Sequence, residues 1–104
     1  MAIKTALNVE VGYNETEIIE PTDTDKNKKR IFNIENGEKQ IIATAWGLDE
    51  EQVWQIEVTK TIPPNENDVL SVGPTHAPKV KLTGRTTSSN DTSIVNATLT
   101  YPGS

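Results

Sequence analysis

The sequence predicts an all-β protein. The expected architecture is a two-layer antiparallel β-sandwich of immunoglobulin-like or jelly-roll kind, with about seven or eight short strands in a single domain, residues 1–104. Three observations lead there. Thr, Val and Ile are abundant, while the helix formers Leu, Ala and Met are sparse outside short stretches. Turn signals recur roughly every ten residues, and Pro63-Pro64 marks a crossover. Apolar residues make up only 34% of the chain and mean hydropathy is −0.53, so a core has to be drawn from alternating positions rather than continuous runs. A small β-barrel fits the same pattern and is the alternative. A chain of 104 residues is long enough for one core and too short for two.

The elements follow in order. From Ile3 to Tyr13 the odd positions read Ile, Thr, Leu, Val, Val, Tyr, and the period of two predicts a strand with that face buried. It begins almost at the first residue, which implies an N-terminus tied into a sheet. Thr16 to Glu20 predicts a short strand stopped by Pro21, which cannot donate to a ladder. Thr22 to Lys28 is polar throughout and reads as an exposed, mobile loop.

Lys29 to Ile62 carries the clearest signals. Its three strand-like segments are KRIFNIE, KQIIATAW and VWQIEVTKTI. Asn36-Gly37 between the first two is the preferred pair for a two-residue type I′ turn, so the three segments are expected to form a meander. Apolar residues at Ile41, Ile42, Ala43, Ala45 and Trp46 occupy both faces, as in a central strand, whereas Trp54, Ile56, Val58 and Ile62 share one parity. Asp49 to Gln52 reads either as one helical turn with Asp49 as N-cap or as an acidic loop. Beyond Pro63-Pro64, strands are expected at Val69 to Val72, Lys79 to Arg85 and Ile94 to Tyr101. Loops run over 74–78 and Thr86 to Thr92.

The composition excludes several functions. Net charge is −5 and pI is 4.8, which disfavours a nucleic-acid or anionic-membrane surface. The one basic run, Lys26, Lys28, Lys29 and Arg30, is offset by Asp23 and Asp25. The absence of cysteine rules out disulfides and thiolate metal sites. No secretion signal and no apolar span of transmembrane length is read.

Candidate chemistry is sparse. Asp23-Thr24-Asp25-Lys26-Asn27 imitates the start of a calcium loop, but Lys28 stands where glycine is needed and Ile34 where the bidentate glutamate belongs. His76 is the only imidazole and lies between prolines, so nucleophile–histidine arrangements are incomplete. Glu15, Glu17, Glu20, Glu50 and Glu51 lack the apolar cleft that separates the pKa values of a catalytic pair. Trp46, Trp54, Tyr13 and Tyr101 are read as core rather than as a sugar-stacking platform. Asn14, Asn90 and Asn96 head chance sequons in a Thr-rich chain. The expectation is a non-enzyme with no catalytic residue, cofactor or metal.

The strand beginning at Ala2-Ile3-Lys4, the Thr/Asn-rich loops Thr22 to Asn27 and Thr86 to Thr92, and the lack of a site give the chain its overall character. In these it resembles the small, acidic, cysteine-free all-β structural proteins of tailed-phage virions, above all head-decoration or cement proteins and secondarily tail proteins. That resemblance covers architecture and composition and carries no motif. It implies a virion location and a homo-oligomer, trimer or dimer, that binds between major capsid protein subunits, or to another virion protein, and stabilises the assembled shell. The expected partner contacts are Ile3, Lys4, Thr5 and Leu7 in the first strand, or Asp23, Asp25 and Lys28 in the first long loop, engaged by strand addition. The competing reading is a carbohydrate- or surface-binding module of tail or adhesin type, with Trp46 and Trp54 facing solvent.

Overall fold

The computed structural model describes residues 2–75 and 77–102. Eight strands run in the order β1 (Ala2–Val11), β2 (Thr16–Asp23), β3 (Arg30–Glu35), β4 (Ile41–Leu48), β5 (Trp54–Ile62), β6 (Asn67–Val72), β7 (Lys79–Thr86) and β8 (Ser93–Tyr101). They form two four-stranded antiparallel sheets, β1-β8-β3-β6 and β2-β7-β4-β5, packed face to face as a sandwich and not closed into a barrel. The pairings are nested: β1 with β8, β2 with β7, β3 with β6 and β4 with β5. The chain is thus a long ribbon doubled back at the turn between β4 and β5 and rolled so that alternate pairs fall in opposite sheets, which is the jelly-roll solution.

This nesting overturns the expected meander. β4 and β5 do form a hairpin. β3, however, pairs with β6 and β8 in the other sheet and never with β4. Asn36-Gly37 is therefore a crossing between sheets rather than a type I′ turn. Asn36 is buried, and its Nδ2 donates toward the carbonyls of Lys39 (2.8 Å), Pro63 (3.0 Å) and Ile62 (3.1 Å). Its Oδ1 accepts from Gly37 N (2.8 Å) and from Ser93 Oγ (2.9 Å). Gly37 is required for contact rather than for positive φ, because a Cβ there would collide with the Ile94 carbonyl oxygen. An amide side chain and a missing Cβ suit a tight polar crossing as well as they suit a turn, and local sequence does not separate the two.

The core lies between the sheets. Val11, Phe32, Ile34, Leu70, Val72, Val95, Ala97 and Leu99 meet Ile18, Ile19, Ile41, Ala43, Ala45, Ile62, Val80 and Leu82. Bulges set what reaches it. In β1 the register slips between Ala6 and Val9, and Asn8 adopts φ 54°, a left-handed geometry that asparagine tolerates. The slip swaps faces: Val9 and Val11 point inward, whereas Ile3 and Leu7, expected inside, point outward at 64% and 66% exposure. A second slip opposite Ala45 and Trp46 inserts Glu57 into β5 and turns Ile56 outward at 61% exposure, while Val58 packs on the core. β2 continues through Pro21 to Asp23, because it is an edge strand and its irregular register spares the proline a ladder bond.

Between β4 and β5 the chain forms a turn and not a helix. Asp49 Oδ1 accepts from the backbone N–H groups of Glu51 and Val53, both at 2.9 Å. Those bonds, the Val53 amide foremost, hold the Asp49 carboxyl below its usual pKa.

Candidate interaction faces

Strand parity and the register slips in β1, β2 and β5 give the sandwich two unlike outer faces. Ile3, Thr5 and Leu7 stand on the outer face of β1-β8-β3-β6 with Ile94, Asn96, Thr98, Thr100, Ile31, Asn33, Glu35, Asn67 and Val69. Cross-strand rows fix the layout, with Ile3 beside Thr100 and Ile31, and Thr5 beside Thr98, Asn33 and Val69. Four of the large apolar side chains that remain exposed, Ile3, Leu7, Val69 and Ile94, lie on this one face. Between Leu7 and Val69 runs an open groove of about 460 Å³ whose floor is Asn33, Asn96 and Thr98 and whose end carries Glu35 and Asn67. Asn96 Oδ1 accepts the Asn8 amide at 2.8 Å and so ties the bulge to the groove floor. The charged strand residues that project from the face are Glu10 and Glu35, and no lysine or arginine of β1, β8, β3 or β6 projects from it.

Lys4 does not join its neighbours there. It points the other way, and its Nζ lies 2.6 Å from Glu20 Oε1 on β2, spanning the open side of the sandwich. This bond and the lysine's charge keep the Glu20 carboxyl below its ordinary pKa. Lys60 of β5 and Asp68 of β6 make the matching pair at the other side, 3.2 Å apart. Charged side chains clasping both open sides, with Pro21 and the bulges, blunt the edges against strand addition.

Asp23, Asp25 and Lys28 lie elsewhere, at the end of the sandwich where the loops 24–29, 49–53 and 73–78 meet. That end is built on Arg30, which the sequence groups with the exposed lysines but which is fully buried. Its Nη1 donates to Ala77 O (2.6 Å) and Thr24 Oγ1 (2.9 Å), Nη2 to Thr75 Oγ1 (2.9 Å) and Nε to Val72 O (3.3 Å). Gly73, at φ 98°, leaves room for Nη2 beside it. Burial lowers the Arg30 pKa, while the nearby Glu57 and Asp25 charges favour the cation. The loop 22–28, expected to hang free, is held by Thr24 N to Pro78 O, by Thr75 N to Lys26 O and by the 2.6 Å Lys26–Glu50 pair. Asp23 lies 3.6 Å from Lys79, and Asp25 Oδ1 accepts the Asn27 amide, so neither presents an open cation site. No grouping of His, Asp or Glu among the described residues is able to hold a metal ion. His76 lies outside the described residues.

On the outer face of the second sheet stand both tryptophans, half-buried and outside the core, contrary to the core placement expected from sequence. Trp46 Nε1 donates to Thr83 Oγ1 at 2.8 Å, and the Lys81 ammonium lies 4.3 Å from the centre of the Trp54 ring and 5.4 Å from that of Trp46. Lys79 and Arg85 continue the column on β7, and Leu48 and Ile56 adjoin the rings.

No protein-family model and no curated protein matches the sequence. Solved structures share its fold. The crystal structure of PirA superposes with a TM-score of 0.62 at 12% identity over 97% of this chain and 92% of that one. Bacillus endospore appendages, described as disulfide-linked pili, give 0.59 at 7% identity over 98% of this chain and 88% of the other. Tripeptidyl peptidase 2 gives 0.63 at 10% identity over 97% of this chain, which spans only 10% of that much longer protein. At these identities the likeness concerns the fold alone, which recurs here in small whole chains and as a minor part of a large enzyme. No helix among the described residues is long and apolar enough to cross a membrane.

Proposed function

We propose that the protein is a non-enzymatic structural subunit that decorates or cements a phage capsid by binding between major capsid protein subunits, using the outer face of the β1-β8-β3-β6 sheet. The observation that carries this reading is the concentration of Ile3, Leu7, Val69 and Ile94 on one Thr- and Asn-rich face around an open groove. Exposed apolar side chains gathered on one face and rimmed by polar groups are the mark of a protein-binding surface. Within it Ile3, Thr5 and Leu7 are contact residues and Lys4 serves the clasp with Glu20. Docking is through the face of β1 rather than by adding a strand to its blunted edge.

Rebinding of the purified chain to particles stripped of it tests the proposal. Ile3→Asp with Leu7→Asp lowers occupancy by at least about tenfold, the scale expected for two anchor side chains. The triple change Asp23→Ala, Asp25→Ala, Lys28→Ala leaves occupancy intact. Unchanged rebinding of the Ile3/Leu7 variant overturns the assignment of the face.

The outward placement of Trp46 and Trp54 favours a second reading, a glycan-binding surface. Lys81 already sits over the Trp54 ring, the position a stacked sugar would need. A tryptophan emission spectrum unresponsive to glycans rejects that reading.

A further inference from the structure

The structure assigns a use to the Trp46–Lys81–Trp54 face: it receives the Glu35-bearing outer face of a second copy of this chain, so that copies stack head to tail. The inference rests on the structural role proposed above and names the chain itself as a partner.

Charge gives the first argument. Lys81 and Arg85 make no ion pair among the described residues, whereas Lys79 on the same face pairs with Asp23 of β2, and Glu17 opposite Thr83 is the other β2 carboxylate there. The tryptophan rings hold the Lys81 cation in place but do not neutralise it. The strand residues projecting from the opposite face include Glu10 and Glu35 and no lysine or arginine. Joining like faces would set Lys81 against Lys81 or Glu35 against Glu35, whereas joining unlike faces gives Lys81 and Arg85 carboxylate partners.

Size and shape agree. The molecule measures 39 × 27 × 17 Å between its Cα extremes, so each broad face offers up to about 1,000 Å², enough for the roughly 800 Å² per partner of a stable interface. One face has a groove and the other a projecting apolar residue, Ile56, beside Trp54. Because the two faces look away from each other, the contact is heterologous and leaves a free face at each end, so it repeats instead of closing into the dimer or trimer of the virion resemblance. A copy seated on a particle through its Leu7 face would present its tryptophan face outward to the next.

Sedimentation velocity of the full chain at low salt tests this. Wild type gains mass beyond a dimer as concentration rises and loses it as salt is added. A variant blocked on one face, Thr5→Arg with Glu35→Arg, and one blocked on the other, Ile56→Glu with Arg85→Glu, are each monomeric, and an equimolar mixture gives a 1:1 complex and nothing larger. Circular dichroism confirms that both remain folded, and Thr5→Arg alone and Arg85→Glu alone serve as milder versions. A wild type that stays monomeric at every concentration, a variant that still self-associates, or a mixture that does not pair overturns the stack. If the wild type is monomeric yet rebinds particles, the stack fails while the proposed function stands. If it stacks but never rebinds, the reverse holds.

Discussion

Arg30 is the most consequential single side chain for the loop end, and replacing it with methionine tests why. Methionine keeps much of the stem's volume but removes a cation that donates four hydrogen bonds, to Val72 O, Ala77 O, Thr24 Oγ1 and Thr75 Oγ1. Hydrogen bonds from a charged donor contribute roughly 1.5–3 kcal/mol each, but burying the cation costs several kcal/mol, so the four do not simply sum. What decides the outcome is the set of acceptors left behind. Two carbonyls in a dry site lose their donor at about 1–3 kcal/mol apiece, while the threonine hydroxyls can rotate toward water. The expected destabilisation is therefore about 3–5 kcal/mol, a large part of the 5–15 kcal/mol, roughly, that holds a domain of this size. Urea unfolding followed by circular dichroism measures it. Proteolysis should cut first within 24–29 and 73–78, the loops that Arg30 joins. Arg30→Lys keeps the charge but not the planar fork, and recovers only part of the loss. A loss below about 1 kcal/mol for Arg30→Met, with unchanged denaturant slope, refutes the account of Arg30 as the hub of that end.

Three further outcomes follow from the same structure. Gly37→Ala forces a methyl into the Ile94 carbonyl and is expected to cost about 1–3 kcal/mol by thermal or urea denaturation, although alanine is the better residue in an unstrained crossing. Acid weakens the fold: the Glu20, Asp49 and Asp68 carboxyls are held below their ordinary values of 4.5, 3.8 and 3.8, by Lys4 for Glu20 and by the backbone amides of Val53 and Val69 for the two aspartates. A group whose pKa is depressed in the folded state stabilises above its unfolded pKa and loses that contribution as pH falls through the folded one. The urea midpoint therefore drops on acidification below those values, and Asp49→Asn flattens the drop. Folding is slow for the length, because every strand of the nested ribbon except the β4–β5 pair has its partner far away in sequence; a stopped-flow refolding time in the millisecond-to-second range, roughly, is expected.

Much of the strand pattern was legible in the sequence because alternation is a local property. β8 is the clearest case: Val95, Ala97, Leu99 and Tyr101 share one side as their spacing requires. The Pro63-Pro64 breaker likewise marks the passage from one sheet to the other. What misled was also local. Asn36-Gly37 has the chemistry of a hairpin, and the odd positions of β1 read as one buried stripe until the bulge at Asn8 divides it. Ile3 and Leu7 were expected from the sequence both to lie on the buried stripe of β1 and to be partner contacts; the structure decides the first point, by placing them outside. Arg30 had no distinguishing signal beside Lys28 and Lys29.

By itself, the sequence determined an acidic, cysteine-free, all-β chain with a thin core, since residue types and a period of two fix which segments extend and which side chains seek burial. The tertiary structure alone decided which strands pair, which of two alternating faces is outside, and which cations keep a partner. Those depend on contacts between residues distant in the chain, above all on bulges that exchange inside for outside, and a period of two is indifferent to that exchange. The faces on which function is proposed, one apolar and the other bearing both tryptophans with Lys81 and Arg85, are products of that exchange.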